Sequence, residues 1–502
     1  MENAMTNLGK SHRILFMSTL AFTICFAVWM FNGVLVTFLV DNQVFKWTPV
    51  QIGWLMAIPP LTGSILRLNA GIWTDKYGGK ITMSTVLFLC AIPMFLVSRA
   101  NSFIEFALCA FGFGLAGNAF SIGIAYVSLW YPKNWQGRAL GIFGVGNAGA
   151  AVTTLVAPSL LKNLTSNGTN IEGWRQLPVI YAGALVVMGI LFLLFTENKK
   201  SENVQGKSFS ELVKPLKEVR VWRFGLYYYL VFGCFVALSQ WLVPYFLNLY
   251  NVSLITAGLF ASIFSVPAGV IRALGGWMSD KYGARSVMYW TLGSSVIICL
   301  LLSIPKMEID TPGKGIMAKK NGTVTFVSDS LIKVDNVEYP LIKMKKDNEA
   351  NSDKFSILPT SKMWQEPVVK VGDQVKKKQL LAKGITHISF QANMWIALIF
   401  IFIIGFWWGI GKAAVYKHIA EYYPKNVGAV GGMVGLIGGL GGFFTPIILG
   451  YLLDWTGMWT SMWIYLFVIS VTCLWWMHRV ITKMRDEAAP ETKQKIEKPI
   501  NQ

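Results

Sequence analysis

Long apolar runs separated by short polar loops fill this chain. Stretches of roughly 20 residues, the length that crosses ~30 Å of hydrocarbon, recur near 14–40, 50–74, 81–99, 103–130, 138–162, 177–196, 222–247, 254–279, 286–304, 394–422, 428–452 and 460–481. Such runs predict an all-α membrane protein with twelve transmembrane helices. The first follows Lys10, His12 and Arg13, but it is too long for a signal-peptide core and lacks a clear small-residue cleavage site, so it reads as a retained helix. One stretch, 305–390, is polar, Lys-rich and out of register with any membrane helix. Its TVTFV, LIKV, YPLIKM and PVVKVGDQVKKKQLLAKG segments alternate apolar and polar residues between turn-forming groups, which predicts a small β-rich insert between helices nine and ten.

The membrane pattern repeats. GSILRLNAGIWTDKYGGK (63–80) returns as GVIRALGGWMSDKYGAR (269–285), with Arg67 and Asp75 each 205 residues before Arg272 and Asp280. GNAFSIGIAYVSLWYPKN (117–134) aligns with GIGKAAVYKHIAEYYPKN (409–426) at an offset of 292, and the added 87 residues correspond to the insert. The chain therefore divides into a six-helix half (1–196), a Lys-rich linker (197–221), the first part of a second half (222–304), the insert (305–390), the rest of that half (391–481) and a tail (482–502). Two pseudo-symmetric six-helix bundles are the plan of a parallel-repeat transporter, with its site between the halves at mid-membrane.

Composition narrows the picture. The chain has 502 residues, 54% hydrophobic and 14% charged, far more apolar than a soluble core requires. Its formal charge of +19 does not indicate nucleic acid, because the basic residues are spread over membrane loops and the insert rather than along one face. Lys76, Lys80, Lys133, Arg138, Lys199, Lys200, Lys207, Lys214, Lys217, Arg220, Lys281, Arg285 and Lys425 fall on the side of the N-terminus, against Lys46, Arg99, Lys162 and Arg175 on the short loops opposite. The positive-inside rule then puts both termini in the cytoplasm and the insert outside, across a cytoplasmic (inner) membrane. Cys25, Cys90, Cys109, Cys234, Cys299 and Cys473 lie inside expected helices at wide spacing and read as small buried residues, with no metal site. No GxxxxGK[ST] loop is present, so a gradient must supply the energy, and neither a cofactor nor an enzyme's nucleophile and base is expected.

Gly71, Asp75, Gly78 and Lys80, with their copy Gly276, Asp280, Gly283 and Arg285, resemble the cytoplasmic loop motif of the major facilitator superfamily, where such loops tie helix ends and gate. Within it, GRALGIFGVGNAGAAVTTLVAP (137–158), GAVGGMVGLIGGLGGFFTPIILG (428–450) and FAVWMF (26–31) resemble the nitrate/nitrite porter family over nearly all of the chain outside the insert. Glycines such as Gly144, Gly146, Gly149, Gly435, Gly438 and Gly439 let helix backbones approach and slide. Gly144-Val-Gly146-Asn-Ala-Gly149 also satisfies the dinucleotide GxGxxG pattern, but it follows no strand. The VVKVGDQVKKKQLLAKG segment resembles lipoyl- and biotinyl-like domains without an EAMKM-type attachment sequence, which favours a structural or partner-contacting appendage whose partner is unknown.

Arg67 and Arg272 carry the candidate chemistry. A guanidinium at the bilayer centre costs about 2.5–3.5 kcal/mol on insertion scales, so two at matched depth call for a job or a partner. No acidic residue near them in sequence offers to pair. Two planar forks of donors facing one cavity favour a small anion over a cation or a sugar. Nitrate and nitrite fit that description, as do formate, chlorate and oxalate; the family resemblance selects the first two. It also implies Asn147 as a polar neighbour, Tyr228 and Phe232 as contacts, and Phe26 and Phe120 as rings lining the anion. The offset of 292 maps Phe120 onto Lys412, a third cation at similar depth and a candidate for proton exchange. Lys417, His418 and Glu421 read as a solvated helix end. The rival readings are a small-carboxylate antiporter and a membrane receptor with an outer sensing domain.

Overall fold

The structure, a computed structural model, describes residues 2–200, 214–304, 307–343, 360–390, 393–423 and 427–488. Residues 201–213 of the expected linker, 344–359 of the insert and 489–502 of the tail lie outside the described residues. The chain forms two compact units, residues 1–303 with 398–502, and residues 304–397.

The first unit is helical. Among the described residues ten helices are long and apolar enough to cross a membrane, and eleven if the pair Leu254–Val270 and Arg272–Tyr282, bent by 47°, is one span. The expected run at 50–74 is likewise two helices, Pro49–Ile65 and Arg67–Tyr77, and does not stand among the ten. The difference from twelve thus comes from the two spans that carry the arginines, each divided just before its Arg.

The repeat is written into local structure. Thr48 caps Pro49–Ile65 by accepting from the Gln51 amide, and Ser253, 205 residues on, caps Leu254–Val270 by accepting from Thr256. Both segments contain 17 residues, and the helices after the break contain 11. Each ends on a glycine with positive φ, 91° at Gly78 and 83° at Gly283, a conformation that disfavours a Cβ. The breaks match as well. The first segment's last rung is Leu66 N to the Thr62 carbonyl (3.3 Å) and the next segment's first is Ala70 N to Leu66 (2.9 Å); the second half has Ile271 N to Pro267 (3.0 Å) and Gly275 N to Ile271 (3.1 Å). The rung that the Arg amide would make to the residue four before it is skipped in both. Close crossings bend the helices here. A Cβ on Gly63 would come within 2.9 Å of the Gly114 carbonyl, and one on Gly269 within 3.0 Å of the Ala148 amide.

Three other spans change winding at mid-length. Gly114–Asn118 and Gly144–Ala148 are 3₁₀ turns, and Tyr229–Cys234 is a π-helical turn, a device that recurs at functional sites. The cysteines in this unit are free and buried, with Cys109 half-buried.

The second unit is built on two antiparallel sheets. Strands β1 (Met307–Met317), β2 (Gly322–Val327), β3 (Leu331–Val334), β4 (Val337–Pro340), β5 (Thr360–Pro367), β6 (Gln374–Val375) and β7 (Leu380–Phe390) pair in the orders β1-β7-β5 and β4-β3-β2-β6. Val324, Ile332, Val334, Tyr339, Val375 and Leu381 form its core, the inward positions of the alternation. Of the expected YPLIKM strand only Tyr339 and Pro340 lie in β4. The long β1 lacks a clear strand alternation because Pro312, Gly313 and Gly315 interrupt it, and its register shifts between Gly313 and Ile316.

Candidate functional site

Phe120 is where the two arginines meet. The Arg67 guanidinium lies 5.6 Å and the Arg272 guanidinium 5.3 Å from the centre of its ring, so residues 205 apart in sequence share one aromatic face pair. Arg67 also sits 5.4 Å from the Phe232 ring and Arg272 5.3 Å from that of Tyr416. Arg67 is 4% exposed and donates through Nη1 to the Gly435 carbonyl at 2.9 Å. Its Nε and Nη2, and Nη1 of Arg272, are buried with no protein partner. Among the described residues no carboxylate pairs with either. Buried, charged donors left open cost free energy unless an acceptor arrives, and an anion could supply one.

The helices explain why these groups converge. Tyr228 and Phe232 flank the start of the π-helical turn and stack on each other, 5.0 Å apart and 12° from parallel. A Cβ on Gly438 would fall 2.2 Å from Tyr228 Cδ1, so glycine there admits the ring. Each arginine runs along a glycine of the opposite half: Arg272 Cδ would be 3.4 Å from a Cβ on Gly144, and Arg67 Nη1 3.5 Å from one on Gly435. Gly439 makes room for Ser64 (2.2 Å), Gly146 for Phe22 (2.3 Å) and Gly149 for the Thr23 carbonyl (2.2 Å).

Two expected contacts stand apart. Asn147 turns its Nδ2 to the Gly144 carbonyl of its own 3₁₀ turn (2.8 Å), leaving Oδ1 buried and unpartnered, and it makes no hydrogen bond to a guanidinium. Phe26 packs on Phe22, Trp29 and Phe235 at 5.7, 5.4 and 6.4 Å, with Phe22 and Phe120 between it and the arginines. Lys412 is fully buried, donates to the Ala268 carbonyl at 2.9 Å and rests 3.2 Å from the centre of the Phe235 ring. Tyr416 and Phe235 were missed in the sequence. Tyr416 follows Lys412 by four residues and so shares its helix face, a signal that was there to be read.

At the loop motif the halves differ. Asp280 pairs with Lys417 at 2.6 Å. The residue matching Lys417 in the first half is Ala125, and there the loop is held by Asn198, whose Nδ2 donates to the Tyr77 carbonyl at 2.9 Å. An exposed pair such as Asp280–Lys417 contributes about 0–1 kcal/mol, so Asp280→Asn is expected to keep thermal stability within about 1 kcal/mol of the parent. Melting in detergent checks this, and a larger loss would make the pair a fold element. The solvated-end reading fails for His418, which is 6% exposed and stacks on Phe224 at 5.5 Å; Glu421 is exposed.

Comparison with known proteins agrees with this geometry. The Major Facilitator Superfamily model matches residues 17–312 and 380–501. A probable nitrate/nitrite antiporter of Thermus thermophilus is 37% identical over 489 residues, 97% of this chain and 95% of that one. The chain belongs to the nitrate/nitrite porter family of the major facilitator superfamily. Another member, the nitrite extrusion protein of Bacillus subtilis, is 23% identical over 482 residues, 95% of this chain and 97% of that one. Among solved structures, a bacterial homologue of the human lysosomal transporter Spinster, inward-facing and unoccupied, matches with a TM-score of 0.60 at 14% identity over 93% of this chain and 96% of that one. The nucleoside transporter NupG matches at 0.58 and 12% over 94% and 98%. At such identities these two establish the fold of the family in this chain and nothing about its substrate.

Proposed function

We propose that this chain is a secondary transporter that carries nitrate and nitrite across the cytoplasmic membrane by alternating access, binding the anion between Arg67 and Arg272. The observation that carries the reading is the pair of guanidiniums on one Phe120 ring, with open buried donors and no carboxylate among the described residues. A planar oxyanion accepts from such forks in their own plane while a ring covers its face. The names of the Thermus and Bacillus relatives supply the oxyanions.

In this reading each divided Arg span is one crossing, which brings the total to twelve, six in each half. Both termini face the cytoplasm with the basic loops, the Gly71–Gly78 and Gly276–Gly283 loops gate that side, and residues 305–390 lie outside. Uptake of labelled nitrate into proteoliposomes tests the function: nitrite should compete at concentrations near those of nitrate, and oxalate should not. Competition by oxalate alone would transfer the site to the small-carboxylate reading, and no anion movement at all would favour a receptor.

Among the described residues, Lys412 is the cation near the site that can lose a proton, since arginine does not. It is the proposed link between nitrate and a proton gradient. An inward acid gradient should raise nitrate accumulation, and Lys412→Ala should remove that dependence; full proton dependence in the variant would leave Lys412 outside the coupling.

A further inference from the structure

Arg67 and Arg272 are held in different ways. The Arg67 head is anchored by the Gly435 carbonyl, whereas the Arg272 guanidinium touches the rings of Phe120 and Tyr416 and makes no hydrogen bond among the described residues. With no hydrogen bond to hold its head, the direction of Arg272 depends on those two rings and on its backbone. That backbone is unusual, because Arg272 is the first residue after the 47° break and the skipped rung leaves the Ala268 carbonyl without its helical donor. Lys412 Nζ donates to that carbonyl.

We propose that Lys412 is a positioning residue for Arg272: its ammonium clamps the carbonyl freed by the break and so sets where the guanidinium points. The proposal rests on the anion-site reading. Its surroundings fit a clamp, since the ammonium is fully buried, lies against the faces of Phe235 (3.2 Å) and Phe232 (5.8 Å) and has one hydrogen-bond acceptor. Arg272 itself is the charged neighbour, with Tyr228 and Tyr416 the nearby titratable groups and Arg67 across the Phe232 ring. The first half supplies the contrast. Its break occurs at the matching position with Phe120, which has no donor, in place of Lys412. A break thus forms without a clamp, and the clamp belongs to the half whose arginine has no carbonyl anchor.

Two readouts test this in full-length protein without native cysteines. The first needs no substrate: spin labels on Ile255→Cys and Tyr282→Cys, at the exposed ends of the bent pair, report its end-to-end distance. Segments of 17 and 11 residues lengthen by about 3 Å on straightening. Lys412→Met should lengthen or broaden that distance toward the straight value, and Lys412→Arg should keep it. The second readout is the nitrate Kd, expected to rise at least about tenfold in Lys412→Met because a misaimed donor loses its target. In an Arg272→Lys background the same change should add less than about threefold, the non-additivity of residues acting as a unit. Lys412→Gln, neutral and too short to reach, repeats both if the methionine variant does not fold. An unchanged distance overturns the clamp, and additive losses of affinity overturn action through Arg272. Wild-type protein that does not bind nitrate removes the anion-site reading, while the label distance still decides the clamp.

Discussion

Arg272→Lys should raise the KM of nitrate transport about a hundredfold or more while leaving a folded protein. Lysine keeps the charge but replaces a planar fork with a single ammonium on a shorter reach, so the in-plane pairing with an oxyanion is lost. A hydrogen bond to a charged group contributes about 1.5–3 kcal/mol, and losing two in the bound state raises KM about a hundredfold or more. Arg67→Lys should be as severe for an added reason. Arg67 already uses Nη1 on the Gly435 carbonyl while Nε and Nη2 stay open, and an ammonium bound to that carbonyl cannot present the same planar fork to the anion. Removing the group altogether, as in Arg67→Ala, also loses that charge-assisted hydrogen bond, worth about 1.5–3 kcal/mol. Labelled-nitrate uptake with a melting curve for each variant separates the effects. Arg272→Lys with parental KM would place the anion elsewhere.

What could be read beforehand follows a physical line. Arg67, Arg272 and their spacing were legible because an unpaired charge in an apolar run is costly and a repeat shows it twice. The spans were legible because each is a local property of about 20 residues. The breaks after Ile65 and Val270 were not, since each depends on how closely a neighbouring helix crosses Gly63 or Gly269. The inward turn of Asn147 is set by the 3₁₀ winding of Gly144–Ala148, which sequence periodicity does not encode. His418 looked like an end-of-helix polar residue, and its burial depends on Phe224 from a span nearly two hundred residues earlier. Glycines were visible as a composition, but which of them separate the halves is a matter of three-dimensional contact.

Those contacts carry the second large prediction, that Gly258→Leu stops transport without unfolding the protein. A Cβ at Gly258 would lie 2.1 Å from the Thr154 carbonyl, one at Gly53 2.5 Å from that of Pro446, and one at Gly450 2.6 Å from that of Pro49. All three join one half to the other through backbone, at the end of the spans away from the loop motifs. At the motif end Gly71 and Gly276 have nothing within 4 Å. The halves thus meet backbone to backbone at the end away from the motifs, as alternating access requires of one state. Leucine at 258 cannot fit against a carbonyl, and overpacking of this kind costs about 1–3 kcal/mol when the surroundings must shift. Here they can shift, because the same surfaces part whenever the other end closes. The substitution should therefore penalise only the state closed at this end, cutting nitrate turnover about a hundredfold if that state must be repopulated in every cycle. A cysteine replacing the fully buried Ser64, in protein without native cysteines, should then react faster with a membrane-impermeant thiol reagent added on the Pro49 and Gly450 side. Normal turnover with unchanged labelling would mean that the two halves do not separate along these glycines.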